Sequence, residues 1–170
     1  MFQKGEYIIY GNNGVCKVQD YMQPDTMEGE EIYYVLSPVN ARGSTIFSPV
    51  NNDKVYMRPV IKRQEAEELL EGIPDYDDMD LGDGKAQDQQ YKEILQKYDC
   101  VVFLRFIKAL YNRKKDREAQ GKKITAVDEK YLLLAKDSLL NELSIALEMS
   151  ADEVDQMLAD RILQSESGVL

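Results

Sequence analysis

The chain has 170 residues, 21 Lys plus Arg against 31 Asp plus Glu, and a formal net charge of −10. Such an acidic chain repels phosphates as a whole, which excludes a plain nucleic-acid binder and leaves only local cationic surfaces for that role. Histidine is absent, which removes the usual general base at neutral pH, the commonest metal ligand and the partner of most Ser or Cys nucleophiles.

The expectation is therefore a binding protein and not an enzyme, with no cofactor, no metal and no small-molecule substrate. No apolar run approaches the ~18 residues of a membrane helix, and the opening Met1-Phe2-Gln3-Lys4-Gly5-Glu6 lacks a secretory core. A soluble, cytoplasmic chain with no membrane partner is expected. Cys16 and Cys100 are far apart and in segments of different character, so they make no disulfide framework and no Cys-x-x-Cys metal site. Both read as small buried hydrophobes.

In chain order, residues 7–10, 15–21, 32–36, 45–47 and 55–58 read as short strands. Turn residues separate them: Gly11-Asn12-Asn13-Gly14, the 28–30 stretch around Gly29, and Ala41-Arg42-Gly43-Ser44. Five strands in so short a segment predict a Tudor/SH3-like β-barrel over residues 1–60.

After Pro59 the pattern changes. Residues 65–70 predict a short acidic helix that Gly72 and Pro74 stop, and 72–84 read as an exposed, mobile acidic linker. Residues 61–84 thus form a connecting segment, with the domain boundary in 72–84. Its carboxylates do not make an EF-hand, because Gly82 falls where a ligand is needed when the loop starts at Asp78. Gly82-Asp83-Gly84-Lys85 lacks the spacing of a phosphate loop.

Residues 85–170 predict an all-helical domain of about four helices. Tyr91, Ile94, Leu95 and Tyr98 carry helical spacing. Asp99 is placed to cap a helix containing Phe103, Phe106, Ile107, Leu110 and Tyr111, which Gly121 ends. Thr125 to Asp128 and Ser150 to Glu153 match the capping-box pattern before apolar runs at 131–149 and 154–163, and residues 164–170 are expected to fray. The fold class is α+β by segregation.

Charge is unevenly placed. Residues 61–99 hold five cations against twelve carboxylates, whereas residues 103–124 hold eight cations against two. On a helical wheel Arg105, Lys108, Asn112 and Lys115 share one side, with Phe103, Phe106, Ile107 and Leu110 opposite. Either this is a solvated face or it meets an anionic partner. The candidate phosphate contacts are Arg105, Lys108, Arg113, Lys114, Lys115, Lys122 and Lys123. An enzyme would need a carboxylate-only site such as Glu142 with Glu148, which nothing in the sequence brings together.

Several ordered motifs carry a resemblance: Phe2-x-Lys4-Gly5-Glu6-Tyr7-Ile8-Ile9-Tyr10, Gly14-Val15-x-Lys17-Val18, Tyr33-Tyr34-Val35-Leu36, Ser48-Pro49 and Met57-Arg58-Pro59-Val60. Tyr91-Lys92-Glu93-x-Leu95, Asp99, Leu110-Tyr111-x-Arg113, Asp128-Glu129, Ala135, Leu139 and Glu142-Leu143 continue it. In this order they resemble the CarD/CdnL-like transcription regulators over nearly the whole chain.

The resemblance implies a Tudor-like RNA-polymerase-interacting domain, shared with transcription-repair coupling factor, that docks on the β-subunit lobe. It further implies a helical domain that reaches promoter DNA upstream of the melting bubble. The polymerase-binding edge would map to Thr45, Ile46, Phe47, Ser48 and Pro49, with Arg42 in the preceding turn. Two departures are visible. Phe47 stands where relatives often place an arginine, and Gln87, Asp88, Gln89 and Gln90 stand where many carry arginines and a tryptophan wedge; this chain has no tryptophan. The expected function is a transcription regulator docked on the RNA polymerase β-subunit, with weak, non-specific promoter DNA contact. The alternative is a polymerase-binding adaptor whose helical domain binds another protein.

Overall fold

A computed structural model of the chain describes residues 1–25 and 29–166. Glu28 of the expected turn and residues 167–170 of the expected frayed tail lie outside the described residues. The chain divides into two compact units, Met1–Val60 and Ile61–Leu170.

In the first unit β1 (Tyr7–Tyr10), β2 (Val15–Met22), β3 (Tyr33–Pro38), β4 (Ile46–Pro49) and β5 (Met57–Pro59) form one antiparallel sheet. The order is β4-β3-β2-β1-β5. Among the described residues the hydrogen-bonded ladder therefore has two ends, β4 and β5, and the expected barrel is a five-stranded sheet with those ends unpaired to each other.

Alternation in sequence becomes alternation across the sheet. Ile8, Tyr10, Cys16, Val18, Tyr34 and Leu36 form the buried cluster. Gly11 lies at φ +45°, and a Cβ there would come within 2.9 Å of Val55 Cγ1, so only glycine fits. Phe2 and Tyr21 lean on Tyr34 with ring centroids 5.8 and 5.9 Å away, and the Phe2 N–H donates to the Tyr34 hydroxyl at 2.9 Å. Cys16 is fully buried, and burial pushes its thiol up to about 11. It stays neutral, as a small apolar core residue should.

The second unit holds α1 (Arg63–Glu71), α2 (Gln87–Leu95), α3 (Cys100–Ala119), α4 (Ala126–Leu147) and α5 (Ala151–Glu166). Their ends follow from capping chemistry. Asp99 Oδ1 accepts from the Val102 N–H at 2.9 Å, and Thr125 Oγ1 accepts from the Asp128 N–H at 3.2 Å. Ser150 and Glu153 exchange both bonds of a capping box. The α3 helix closes with Gly121 at φ +72°, where the Gly121 and Lys122 N–H groups return to Glu118 O and Arg117 O. The Thr125 cap is only half of a box, because the Asp128 side chain turns into the core instead.

The α3 helix is central. Phe103, Leu104 and every residue from Phe106 to Leu110 are buried, so its amino-terminal half is enclosed nearly all round and not along one stripe. The α1 helix belongs to this unit: Ala66, Leu69 and Leu70 enter the shared core. Glu142, 2 % exposed, accepts from the Ile61 N–H at 3.0 Å and from Cys100 Sγ at 3.1 Å, joining the approach to α1, α3 and α4.

The largest correction concerns residues 72–84, expected as a mobile linker carrying the domain boundary. The units divide at Val60, and the acidic stretch packs into the second unit. Ile73 is 0 % and Leu81 4 % exposed, with Tyr76 and Met79 resting on the same core. Its carboxylates point outward while its apolar residues point in, so like-charge repulsion does not prevent packing. Leu81→Ala is expected to cost about 2–5 kcal/mol in urea unfolding. A loss within ~0.5 kcal/mol would mean that the segment is not part of the core.

Candidate functional site

Two surfaces could carry function. The first is the β4 end of the sheet. The Val50 N–H donates to Ile32 O at 2.9 Å, and the register pairs Ser48 with Tyr34 and Ile46 with Leu36. Antiparallel alternation then turns the backbone N–H and C=O of Phe47 away from β3, toward the open side of the edge. The Phe47 side chain is 56 % exposed. It stands opposite Val35, and Pro49 stands opposite Tyr33, which pairs with Met22. A strip of outward apolar and aromatic groups thus flanks an unpaired strand edge. The other end is blunted, because Pro59 of β5 has no N–H to offer.

Of the six residues expected at this edge, Arg42, Thr45 and Phe47 are exposed and Ile46 and Pro49 are half-buried. Ser48 is fully buried, its hydroxyl accepting from Asn52 Nδ2 at 3.1 Å, so its side chain faces the core and not a partner. Tyr33 and Val35 figure in the sequence only within the Tyr33-Tyr34-Val35-Leu36 motif and Met22 not at all, and none of the three is assigned there to the edge. Register with Phe47 and Pro49 is what adds them, and a strand alternation read without pairing partners does not supply register.

The second surface is the cationic part of α3, and here the helical-wheel reading is corrected. Lys108 is 7 % exposed. Its ammonium donates to Ile73 O and Tyr76 O, both at 3.1 Å. Arg105 Nε donates to Asp77 O at 3.2 Å and Arg113 Nη2 to Gly82 O at 2.8 Å. Three of the seven expected phosphate contacts are therefore engaged with backbone carbonyls of the acidic segment. The physical cause is that segment's largely irregular backbone, most of whose carbonyls lack the donors that a regular helix or strand would supply; only the Lys108 contacts lie in the interior. Lys114 is half-buried, and Lys115, Lys122 and Lys123 remain exposed. The apolar spacing Ile73, Tyr76, Met79, Leu81 within the acidic run was the signal for this cover.

Arg113 also reaches inward. Its Nη1 donates to the Tyr91 hydroxyl at 3.3 Å and lies 3.7 Å from Asp128 Oδ2. The Tyr91 hydroxyl donates to Asp128 Oδ1 at 2.7 Å, and burial, then the Asp128 carboxylate, raise its pKa well above the usual tyrosine value. Asp128 Oδ2 has no hydrogen-bond partner among the described residues. Tyr91 packs edge-on against Phe106 and Tyr131 at 4.8 and 5.3 Å. Tyr131 donates to Asp88 at 2.7 Å, and Lys92 and that hydroxyl hold the Asp88 carboxyl below its usual range. These bonds tie α2, α3 and α4 together. Glu142 and Glu148 do not share a cleft: Glu142 is internal, whereas the Glu148 side chain is 84 % exposed and paired with Arg63 at 2.9 Å. Among the described residues no group of three or more Cys, Asp or Glu is placed to hold a metal ion, and no helix is long and apolar enough to cross a membrane.

The first unit is thus of the class of small antiparallel sheet modules with an open, apolar-flanked edge strand. Residues 2–61 match the family model described as the CarD-like/TRCF RID domain. This unit is a CarD-like RNA-polymerase-interacting domain, and the chain is an RNA-polymerase-interacting protein. Among curated proteins none matches the chain.

The two kinds of lysine should separate in stability. Lys108→Glu removes two donors from buried carbonyls and places a carboxylate beside them, so a loss of more than about 3 kcal/mol is expected. Lys122→Glu should stay within about 0.5 kcal/mol. Equal urea midpoints for the two variants would show Lys108 to be solvated.

Proposed function

We propose that the chain is a transcription regulator that docks on the β-subunit of RNA polymerase by adding the β4 edge to a partner strand. The observation that carries this is the conjunction of the family match over residues 2–61 with an open strand whose central residue, Phe47, turns both its backbone groups and its exposed ring outward. Edge addition supplies affinity through main-chain hydrogen bonds, and the Phe47, Pro49, Val35 and Tyr33 strip supplies apolar contact in place of the arginine seen in relatives. Catalysis has no part in this reading.

For the helical unit, tethering to polymerase raises its effective concentration near promoter DNA, where the accessible cations Lys114, Lys115, Lys122 and Lys123 would touch phosphates without reading bases. A second reading, an adaptor whose helical unit binds another protein, is favoured by one observation. Lys108 is buried under the acidic segment, and Arg105 and Arg113 each commit a donor to it, which reduces the charge that faces DNA.

In capture of the β-subunit by the full chain, Phe47→Glu should weaken binding by about tenfold or more, roughly 1.4 kcal/mol. Unchanged capture by a folded variant would remove the edge assignment. Promoter binding by the polymerase complex over a salt series tests the DNA contact. Four phosphate contacts or fewer predict a slope of log affinity against log salt no steeper than about −4, flattened by Lys122→Glu with Lys123→Glu. Identical slopes for wild type and double variant would leave the adaptor.

A further inference from the structure

Toward the C-terminal end of α3, Tyr111, Lys114, Lys115 and Glu118 face Ala159, Ile162 and Leu163 of α5 across a groove of about 270 Å3. Its floor is apolar. Ile162 is 3 % exposed and continues the Val154–Leu158 core stripe, whereas Leu163, one position on, is 60 % exposed at the groove's margin. The volume lies below the ~300 Å3 at which small-molecule sites begin. It suits one or two inserted side chains.

The wall is electropositive in a chain of net charge −10. Lys114 and Lys115 stand on it with Glu118 as the opposing carboxylate. Behind Tyr111, Lys136 Nζ lies 5.7 Å from the ring centroid and is itself paired with Asp155 at 3.0 Å. Cations beside an apolar floor complement a ligand that carries carboxylates beside apolar anchors. A phosphate backbone would use the lysines but gain nothing from Leu163 and Ile162. An amphipathic helix presents both features at once, apolar at i and i+4 and acidic on either side.

We infer that this groove docks an acidic amphipathic helix of another protein, its apolar anchors entering between Tyr111 and Leu163 and its carboxylates meeting Lys114 and Lys115. This rests on the adaptor reading and names its partner chemistry. The β4 edge takes no part in it.

The test is fluorescence anisotropy of the full chain with a labelled peptide of about fifteen residues, Leu and Phe at i and i+4 on one face and Glu on the others. Binding in the micromolar range, roughly, is expected, with about tenfold weakening by Leu163→Asp and by Lys114→Glu. Leu163 is largely solvated, so its replacement leaves folding intact. A matched peptide with Ser at both anchors should not bind, and Phe47→Glu should change nothing. Absence of binding at about 1 mM peptide, or equal binding of the Ser peptide, would overturn the proposal. So would duplex DNA that competes through Lys114 while ignoring Leu163→Asp, which would assign the wall to nucleic acid. Tighter peptide binding by a chain ended at Glu166 would give the groove to the chain's own C-terminal residues and overturn it equally. If the peptide fails while Phe47→Glu still loses polymerase, the groove falls and the docking edge stands.

Discussion

Thirteen residues between Gly72 and Gly84 cross the helical unit without forming an α-helix or a strand, and their carbonyls must still find donors. The answer lies in α3, whose Arg105, Lys108 and Arg113 reach out and fix four of those carbonyls. A long cationic side chain is suited to this, since its methylene stem lies along apolar surface while its head reaches a carbonyl several ångströms away. Arg113 carries the arrangement further by turning its other nitrogen to Tyr91, whose hydroxyl is held by Asp128. One helix thus fastens the irregular segment on one side and α2 and α4 on the other.

This arrangement explains where the sequence was informative. Strands showed through because alternation and turn glycines are local signals, and β1 lies at the expected residues, with the others displaced by at most two at either end. Helix starts at Asp99, Thr125 and Ser150 showed through because capping is decided within one turn. Lys108 did not. A wheel sorts residues by angle and assumes that a charge at the polar angle is wet, but a covering segment far away in sequence can desolvate it. The acidic run concealed its own packing because its net charge is conspicuous and its four apolar residues are not. Of the docking edge, Phe47 was legible, but the strip beside it required register, and register depends on pairing.

The two units present different kinds of surface. The sheet unit has an open edge at β4, where Phe47 turns its main-chain groups outward, and this is the geometry that the proposed addition of a partner strand would use. The helical unit offers side chains only: lysines on one face, an apolar groove beside them, carboxylates along the acidic segment. Departures from the family pattern fall in line with this division. Against the resemblance, Phe47 leaves an aromatic group on the β4 edge, and Gln87, Asp88, Gln89 and Gln90, beyond the matched residues 2–61, place amides and a carboxylate on α2.

Among the described residues the sheet unit has a buried cluster of six, and small domains sit close to the limit of what burial can hold together. A partner strand along β4, as proposed, would add to the folded state and not to the unfolded one, so occupancy would lower the fraction of time the sheet is open by the factor 1 + [partner]/Kd. Were polymerase that partner, as proposed, proteolytic turnover would fall first on unbound chains, and the lifetime of the protein would report how much polymerase is free to receive it.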